Sequence, residues 1–391
     1  MHTVMMAHGP PAIPAISQLH SGGHMASAAI SPDDVYREAL ATVEQRLLDS
    51  RQLSAEYRAV QALDRRIDHA TSVASAYASC NRYFNVLPYN YNQVQLCSGS
   101  TYINASHVRC SDRISSQDFA YIATQGPLPS TISDFWAMVL EHRVPFIVML
   151  TNVVERGVTK CACYFPEREG MSIQCEEGLQ VTATSLQKSQ DAQMTVRVLR
   201  LTRPGSTPLT VQHYHYHAWP DHGTPEESHA IRRVCLALQR AREDVQAAGC
   251  AAASSNNGAP ANEAAVASTR FPRPQAVVHC SAGIGRTGTF VAVDIVCQRL
   301  HKLAARARCG GLPGHALPKA LSEALDLPTL VHELRQQRMG MVQTLEQYCF
   351  IYSALHEELE HALGGSSGSG NSGGGGGGAG SAGADARAPP R

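Results

Sequence analysis

The sequence is short of lysine and carries no excess of either charge. Lysine stands only at positions 160, 188, 302 and 319 of the 391 residues, so most of the positive charge is arginine. The 33 Lys and Arg residues balance 33 Asp and Glu residues, which leaves a formal net charge of zero. Such a chain has no bulk attraction for nucleic acid or for an anionic membrane surface. The composition therefore predicts no nucleic-acid partner.

The chain also lacks a long uninterrupted apolar run. Its most apolar stretch, residues 136–154, contains Glu141, Arg143 and Pro145 and is not expected to span a bilayer. The first charged residue other than histidine is Asp33, so no basic start precedes an apolar segment, as a secretory signal would require. The 12 cysteines, several of them within apolar runs, then favour free thiols in a reducing compartment. We expect a cytoplasmic protein without a membrane span.

Composition divides the chain into one domain with flanking segments. Residues 1–30 show no periodicity and are predicted to be disordered, as is the Gly- and Ser-rich tail at 364–391. Residues 31–363 are predicted to form the folded domain. Within it, the Ala-, Ser- and Asn-rich stretch at about 246–270 and a Gly- and Pro-marked stretch at about 309–319 are predicted to be insertions.

Local patterns predict several helices and a set of strands. Ser31-Pro32-Asp33-Asp34 is a helix start, because it combines a cap, a proline and an acidic first turn. Alternating residues at about 179–217 indicate antiparallel strands. The sequence further predicts helices from Ser54, from about Pro225 to Val245 and from about Pro328 to Arg338, and places Gln343 and Gln347 on one helical face.

Residues 276–290 read Ala-Val-Val-His-Cys-Ser-Ala-Gly-Ile-Gly-Arg-Thr-Gly-Thr-Phe, which is a short apolar run, a glycine-studded loop and a helix-compatible segment. A loop of this kind turns its backbone N–H groups inward, and the following helix directs its positive end at the same place. The pattern predicts a phosphate cradle between a strand and a helix.

Three side chains give this cradle its predicted chemistry. Cys280 stands at its start, where the field of the loop and the charge of Arg286 favour the thiolate, which is a nucleophile. Arg286 can hold two phosphoryl oxygens in a fork, and Thr287 can donate to the sulfur as it leaves. The residues predict phosphoryl transfer to cysteine.

Two other kinds of site are consistent with parts of the sequence. A nucleotide-binding loop is disfavoured, because the cradle has no Gly-Lys-Ser/Thr ending. A zinc site is conceivable on His213, His215 and His217, which alternate along a predicted strand and so share a face. No metal or other cofactor is expected from the remaining residues.

The string His-Cys-Ser-Ala-Gly-Ile-Gly-Arg-Thr-Gly at 279–288 resembles the signature of the classical, phosphotyrosine-specific protein tyrosine phosphatases of the non-receptor type. Further strings resemble this family in the same order: Asn-Arg-Tyr at 81–83, Gln-Gly-Pro at 125–127, Trp-Pro-Asp at 219–221 and Gln-Thr-Leu-Glu-Gln at 343–347. The resemblance implies one α/β domain, with a highly twisted mixed β-sheet flanked by α-helices and disordered termini. It implies phosphotyrosine-containing proteins as substrates.

The resemblance also implies roles for individual residues. Asp221 would be the general acid and base on a mobile loop anchored by Trp219, and Gln343, assisted by Gln347, would hold the hydrolytic water. Tyr83 would form the pocket wall and set its depth, with Asn85 beside it. The cradle residues Ser281, Ala282, Gly283, Ile284 and Gly285 would bind the phosphate, while His279, Glu155 and Lys160 would support the site, Glu155 by orienting Arg286 and Lys160 by meeting the acid loop.

Two alternative functions share part of this machinery. A dual-specificity or phosphoinositide phosphatase would use the same Cys280 and Arg286, but inositol-lipid relatives tend to carry lysine where this chain has Ala282 and Ile284. A non-catalytic phosphotyrosine-binding module typically loses the nucleophile or the acid, and this chain keeps both.

Overall fold

The structure is a computed structural model that describes residues 30–97, 102–111, 118–189, 193–220, 223–225, 228, 230–240, 242–243 and 271–366. Three groups of predicted features lie outside these residues: the first 29 residues and the tail from 367, the insertion at 246–270, and Asp221. Within the described part, no helix combines the length and the apolar character needed to cross a membrane.

The described chain alternates helices and strands. The helices are α1 (Pro32–Leu48), α2 (Ser50–Asp64), α3 (Ser72–Ala76), α4 (Ile132–Glu141), α5 (230–240), α6 (Gly285–Arg308), α7 (Leu317–Ala324), α8 (Leu327–Gln337) and α9 (Leu345–Ser366). The strands are β1 (Ala105–Cys110), β2 (Phe119–Thr124), β3 (Phe146–Met149), β4 (Val154–Glu155), β5 (Val158–Thr159), β6 (Ser172–Gln174), β7 (Gln180–Ser189), β8 (Met194–Thr202), β9 (Leu209–Tyr216) and β10 (Ala276–His279).

Eight strands form one mixed sheet in the order β1-β2-β10-β3-β9-β8-β7-β6. Its centre is parallel, because β10 runs parallel to both β2 and β3, and β3 runs parallel to β9. Towards the other edge, β9, β8, β7 and β6 pair antiparallel, which confirms the strands predicted at about 179–217. The remaining strands, β4 and β5, form a separate antiparallel hairpin.

The two faces of the sheet are covered by separate apolar cores, as its central strands require. Val278 of β10 and Val148 of β3 pack in the core built with α1, α2 and α5–α9. Their neighbours Val277 and Ile147 pack in the other core, against α4. Successive residues of a strand point to opposite faces, so both are buried when helices cover both sides. This double burial fixes the position of β10, the strand that leads into the cradle.

The start of α1 is confirmed in detail, whereas the start of α2 was predicted too late. The hydroxyl of Ser31 accepts from the backbone N–H of Asp34 at 3.2 Å, and the Asp34 carboxylate accepts from the backbone N–H of Ser31 at 2.9 Å. The prediction that α2 begins at Ser54 is wrong, because the carboxylate of Asp49 caps the helix by accepting from the backbone N–H of Gln52. The Asp49 carboxylate satisfies a backbone N–H of the first turn that has no partner within the helix. The sequence analysis did not recognise this cap as a helix start.

Two further boundaries differ from the prediction. Within the stretch at 309–319, which stays predicted as an insertion, Leu312 and Leu317 are buried in the larger core and α7 already begins at Leu317. Helix α9 continues to Ser366, three residues past the predicted end of the domain at 363.

Candidate active site

The predicted cradle lies at the carboxyl end of the central strand β10. Cys280 follows the strand directly, and α6 begins at Gly285, so five loop residues join the two elements. Cys280 is buried, with 5% of its surface exposed. The backbone N–H of Gly283 donates to its Sγ at 3.3 Å, which shows that the loop curls back over the sulfur.

Two glycines, Gly283 in the loop and Gly288 in the first turns of α6, allow close approach of other backbone segments. Gly283 has a φ of +73°, and a Cβ placed on it would lie 2.0 Å from the backbone oxygen of Thr124. A Cβ on Gly288 would lie 2.4 Å from the backbone nitrogen of Val342. Both approaches are far shorter than any allowed contact, so larger side chains are excluded from these positions.

Arg286 is buried and held by a carboxylate. Its two terminal nitrogens donate to Glu155 Oε1 at 2.6 Å and Oε2 at 2.7 Å, and one of them also donates to the backbone oxygen of Leu150 at 3.0 Å. Glu155 further accepts from the Thr151 hydroxyl and from the backbone N–H of Asn152. Burial opposes ionisation of Glu155, but the hydrogen bonds and charge of Arg286 outweigh it and lower the pKa of this carboxyl. The pair is therefore a fixed ion pair at neutral pH.

Ser281 joins the cradle to both neighbouring segments. Its hydroxyl donates to the backbone oxygen of Lys160 at 2.9 Å, so it accepts from the hydroxyl of Tyr83, also at 2.9 Å. The structure thus brings Tyr83 to the cradle, with its ring on the adjacent loop. For Lys160 the structure shows the backbone contact, while the acid loop that its side chain was predicted to meet has Asp221 and His222 outside the described residues.

Arg338 binds the backbone of the cradle loop, and it was not predicted from the sequence. It is fully buried and donates to the backbone oxygens of Gly283 at 2.8 Å and Ala282 at 3.0 Å. Its other donors reach the side chains of Asn104 and Ser106. All four acceptors are neutral, and burial lowers the pKa of Arg338 to about 10. This arginine thus holds two loop carbonyls, while the N–H of Gly283 faces the sulfur of Cys280.

Both predicted glutamines lie over the cradle, although not on one helical face. A Cβ on Gly285 would lie 3.0 Å from the side-chain nitrogen of Gln347 and 3.2 Å from Oε1 of Gln343. Helix α9 begins at Leu345, so Gln343 precedes it, and the two residues meet because Gln347 Oε1 accepts from the backbone N–H of Gln343 at 2.9 Å. The helix was predicted to begin too early, since its cap at Thr344 was not recognised.

The segment that carries Gln343 is held in an unusual backbone conformation. Val342 has a φ of +58°, which a β-branched residue rarely adopts. Arg335 donates to its backbone oxygen, and the hydroxyl of Tyr57 in α2 donates to the backbone oxygen of Gln343 at 2.6 Å. These buried contacts determine where Gln343 points.

The histidine before the cysteine ends a buried chain of hydrogen bonds. Nδ1 of His279 lies 3.1 Å from the backbone oxygen of Cys280 and therefore donates to it, so Nε2 accepts from the hydroxyl of Tyr164 at 2.6 Å. Nε2 of His213 then donates to the same Tyr164 oxygen at 2.9 Å. Burial lowers the pKa of His279 to about 4, which keeps the ring neutral.

The histidines of β9 are engaged in hydrogen bonds. His215 Nε2 lies 2.9 Å from the backbone oxygen of Thr151, and the ring of His217, just past the strand, lies between Thr195 and Asn152. Burial lowers the pKa of His215 to about 2. Among the described residues, no three His, Cys, Asp or Glu side chains are placed to hold one metal ion. The zinc alternative thus gains no support from this strand.

Trp219, predicted to anchor the acid loop, makes defined contacts in the structure. Trp219 is buried, its ring packs against Phe350 of α9, and its Nε1 donates to the backbone oxygen of Gly223 at 3.0 Å. This bond ties together the two sides of the stretch that contains Asp221, which itself lies outside the described residues. The helix predicted from about Pro225 is described only at 230–240 and 242–243.

The other predicted site residues occupy the cradle or its rim. Ile284 is buried beneath Gly340, Ala282 is partly exposed, and Asn85 is exposed on the loop of Tyr83. The hydroxyl of Thr287 is buried and makes no hydrogen bond within the described part of the chain. Besides Arg338, sequence reasoning missed Arg82, which donates to the backbone oxygens of Gly126 and Pro127. Nothing in its Asn-Arg-Tyr context signals that these carbonyls are the partners.

A backbone loop with a buried cysteine and a clamped arginine thus lies at the carboxyl end of a central parallel strand, an arrangement suited to holding a phosphate group. Residues 77–357 match the family model of the protein-tyrosine phosphatases. The chain belongs to the protein-tyrosine phosphatase family.

Individual relatives agree with this assignment. The chain is 35% identical over 295 residues to protein-tyrosine-phosphatase PTP1 of Arabidopsis thaliana, covering 73% of this chain and 72% of the relative. It is 33% identical to tyrosine-protein phosphatase non-receptor type 20 of Mus musculus over 72% of this chain, which spans only 54% of that relative. It is also 32% identical to phosphatidylinositol phosphatase PTPRQ of Homo sapiens, over 72% of this chain and 10% of the relative.

Proposed function

We propose that this chain hydrolyses phosphotyrosine in proteins through a phosphocysteine intermediate. The observation that carries the proposal is the fixed Arg286–Glu155 pair six residues after Cys280, next to a loop in which Arg338 binds two carbonyls and the N–H of Gly283 faces the sulfur. A cationic fork and a set of inward N–H groups stabilise the charge of a transferring phosphoryl group without reorganisation.

In the first step, the thiolate of Cys280 attacks phosphorus, and the bond from phosphorus to the tyrosyl oxygen breaks. Asp221 gives its proton to that oxygen, so tyrosine leaves as the neutral phenol. Arg286 stays on two of the phosphoryl oxygens throughout. Tyr83, held by the hydrogen bond between its hydroxyl and Ser281, forms a wall of the pocket. This wall makes the pocket deep enough that phosphotyrosine reaches the cradle.

In the second step, water held by Gln343 and Gln347 attacks the phosphocysteine. Asp221 accepts a proton from this water, the bond from phosphorus to sulfur breaks, and inorganic phosphate leaves. The hydroxyl of Thr287 donates to the departing sulfur. This role is supported because the hydroxyl has no other hydrogen-bond partner among the described residues. The free thiols of every cysteine in the described part support a reducing, cytoplasmic setting.

The test is phosphate release from a phosphotyrosyl peptide in the presence of a metal chelator, with the natural chain and with Cys280→Ser. We expect release that withstands the chelator and falls by a factor on the order of 10⁴ or more in the variant. Cys309→Ser, at an exposed cysteine, is the matched control and should keep full activity. Release that persists in Cys280→Ser contradicts cysteine chemistry, and release that the chelator abolishes indicates a metal instead.

A phosphoinositide phosphatase is the second candidate, because one relative is named as a phosphatidylinositol phosphatase. Ala282 and Ile284 add no charge to the cradle for the extra phosphates of an inositol headgroup, which favours the phosphotyrosine substrate. Rates on phosphotyrosyl peptide, phosphothreonyl peptide and a phosphoinositide headgroup, measured side by side, separate the candidates.

A further inference from the structure

Helix α2 presents a row of arginines to solvent. Arg51, Arg58 and Arg65, the last at the helix end, are all exposed, and they share one face because a spacing of seven residues is almost two turns. Arg66 is exposed beside the last of them. The row extends over about 21 Å. A chain without net charge therefore concentrates positive charge at one place on its surface.

The carboxylates of the same helix are turned away from this row. Glu56 accepts from the hydroxyls of Tyr348 at 2.9 Å and Tyr352 at 3.0 Å. Asp64 pairs with Arg335. The exposed positions of α2 consequently hold only serine, glutamine, alanine and arginine.

The arginines of the row are not used within the fold. Among the residues that the structure describes, none of the four guanidinium groups takes part in a hydrogen bond or an ion pair. Two carboxylates flank the row: Asp49 is engaged as the cap that accepts from the backbone N–H of Gln52, and Asp68 lies past the end of the helix. Four planar forks on a rigid helix are thus available to an anionic partner.

A large apolar side chain is exposed at one end of the row. Leu48, the last residue of α1, is 89% exposed and lies three residues before Arg51. A leucine left in water contributes little to folding, and its burial in an apolar medium is favourable. The surface therefore combines positive charge with one apolar side chain.

We propose that α2 and Leu48 form a docking surface for an anionic phospholipid membrane. The arginines bind lipid phosphates, and Leu48 enters the boundary between the headgroups and the acyl chains. Each arginine near such a surface strengthens binding by about fivefold, and burial of the leucine strengthens it by about tenfold.

An acidic protein segment is the competing partner for this surface. Such a segment would bind the arginines, but a solvated acidic chain offers nothing to cover Leu48. A bilayer offers anionic groups and an apolar medium in one plane. The alanines beside the row, Ala55, Ala59 and Ala62, are small enough to allow a flat surface to approach the arginines closely.

Helix α2 also connects this surface to the candidate active site. Tyr57, on the buried side of the helix, donates to the backbone oxygen of Gln343 at 2.6 Å. The thickness of one helix, about 10 Å, therefore separates the row of arginines from the segment that lies over the cradle. A membrane bound at α2 would keep the phosphate site close to the bilayer.

The experiment measures co-sedimentation of the full chain with vesicles of phosphatidylcholine alone and of phosphatidylcholine mixed with phosphatidylserine. We expect binding to the mixed vesicles only, and loss of binding when the salt concentration rises from about 0.1 M to about 1 M, because screening shortens the Debye length from about 10 Å to about 3 Å. The double variant Arg58→Gln/Arg65→Gln should bind about 30-fold more weakly. Leu48→Ser should bind about tenfold more weakly.

The double variant Arg168→Gln/Arg200→Gln is the matched control, because it removes two exposed arginines at the β6 end of the sheet. It should bind as the natural chain does. Equal binding to both kinds of vesicle, full binding by Arg58→Gln/Arg65→Gln, or an equal loss in the control would each overturn the proposal. Full binding by Leu48→Ser would overturn it in favour of an acidic protein partner.

Vesicle binding requires no turnover, so its outcome is independent of the proposed function. Phosphate release from free phosphotyrosine should be the same in all of these variants and in the natural chain, because none of the substituted residues contacts the cradle. If the natural chain releases no phosphate, the proposed function fails, while co-sedimentation still decides whether α2 binds the membrane.

Discussion

The floor of the site and its rim are built in opposite ways. The floor is the cradle at 280–288 with its buried partners, and the rim is the exposed part of the Tyr83 loop and of the β4–β5 hairpin. On the floor, buried side chains bond several groups of the cradle, as Glu155 does for Arg286 and Arg338 does for two loop carbonyls. On the rim, Phe84 is 91% exposed and Val158 of the hairpin is 56% exposed. The difference teaches that the residues around Cys280 are constrained by buried partners, whereas the exposed residues beside them are not.

Arg286→Lys tests the floor at the point of largest effect. Lysine keeps the charge but loses the planar fork that binds Glu155 and two phosphoryl oxygens. We expect kcat to fall by about 10³-fold on every phosphotyrosine substrate, whatever its flanks. Arg299→Lys, at another buried arginine of α6, is the control and should change kcat by about twofold or less. A loss confined to one peptide would erase the distinction between floor and rim.

Glu155→Gln tests whether kcat depends on the carboxylate that holds Arg286. The amide cannot accept both bonds of the guanidinium, so Arg286 loses its orientation while the cradle keeps its residues. The expected result is a fall in kcat of about 10²-fold, with a smaller change in KM. Steady-state kinetics on free phosphotyrosine provide the measurement. An unchanged kcat would show that the ion pair is structural alone.

Arg338→Met should act on stability first. The variant leaves the oxygens of Ala282 and Gly283 buried without their donor, which should lower the free energy of unfolding by about 3 kcal/mol. Urea denaturation measures this quantity, and we also expect kcat to fall about tenfold as the loop loosens. Arg308→Met, at the exposed end of α6, should change neither. Full activity in Arg338→Met would mean that the loop holds its shape without support.

Acid should weaken the floor through its neutral histidines. The pKa of His279 is about 4 in the folded chain, below the ordinary 6.5, so only the unfolded chain takes up this proton as the pH falls. The stabilising contribution is complete above pH 6.5 and is lost progressively between pH 6.5 and 4, by about 2 kcal/mol at pH 5. Urea denaturation at pH 7 and pH 5 gives the slope of the free energy of unfolding against pH. His279→Gln should flatten it, whereas His315→Gln, at an exposed site, should leave it unaltered.

The smallest effect is expected on the hairpin side of the rim. Val158→Ser removes an exposed apolar side chain three residues after Glu155. We expect less than about 0.5 kcal/mol of change in stability and no resolved change in kcat on free phosphotyrosine. Urea denaturation and steady-state kinetics on free phosphotyrosine measure these two quantities. A marked loss of kcat would show that the hairpin surface belongs to the floor.

Much of the floor could be predicted from the sequence because its chemistry is local. The cradle from 279 to 288 carries its strand, glycines, nucleophile and arginine in one continuous string, and the structure places Glu155, Tyr83 and both glutamines around it. Their catalytic roles stay predictions. The antiparallel strands and the cap of α1 were equally readable, since alternation and a capping box are short-range patterns.

The parts that sequence reasoning missed depend on long-range partners. Arg338 and Arg82 act on backbone carbonyls, which every residue possesses, so no residue type marks the other end of the bond. The starts of α2 and α9 depend on caps at Asp49 and Thr344 that lie outside the apolar periodicity. Exposure of Phe84 is likewise invisible in sequence, because an aromatic residue is more often buried.

The direction of β10 also bears on how this protein can change in length over evolution. The chain returns from the Ala-rich stretch at Phe271 and enters β10 at Ala276, the end of the strand remote from Cys280. Four strand residues, a span of roughly 13 Å, separate that entry from the nucleophile. Additions at this end lengthen the polypeptide without entering the reaction space, so we expect a reporter domain to be accepted there and rejected between Cys280 and Gly285.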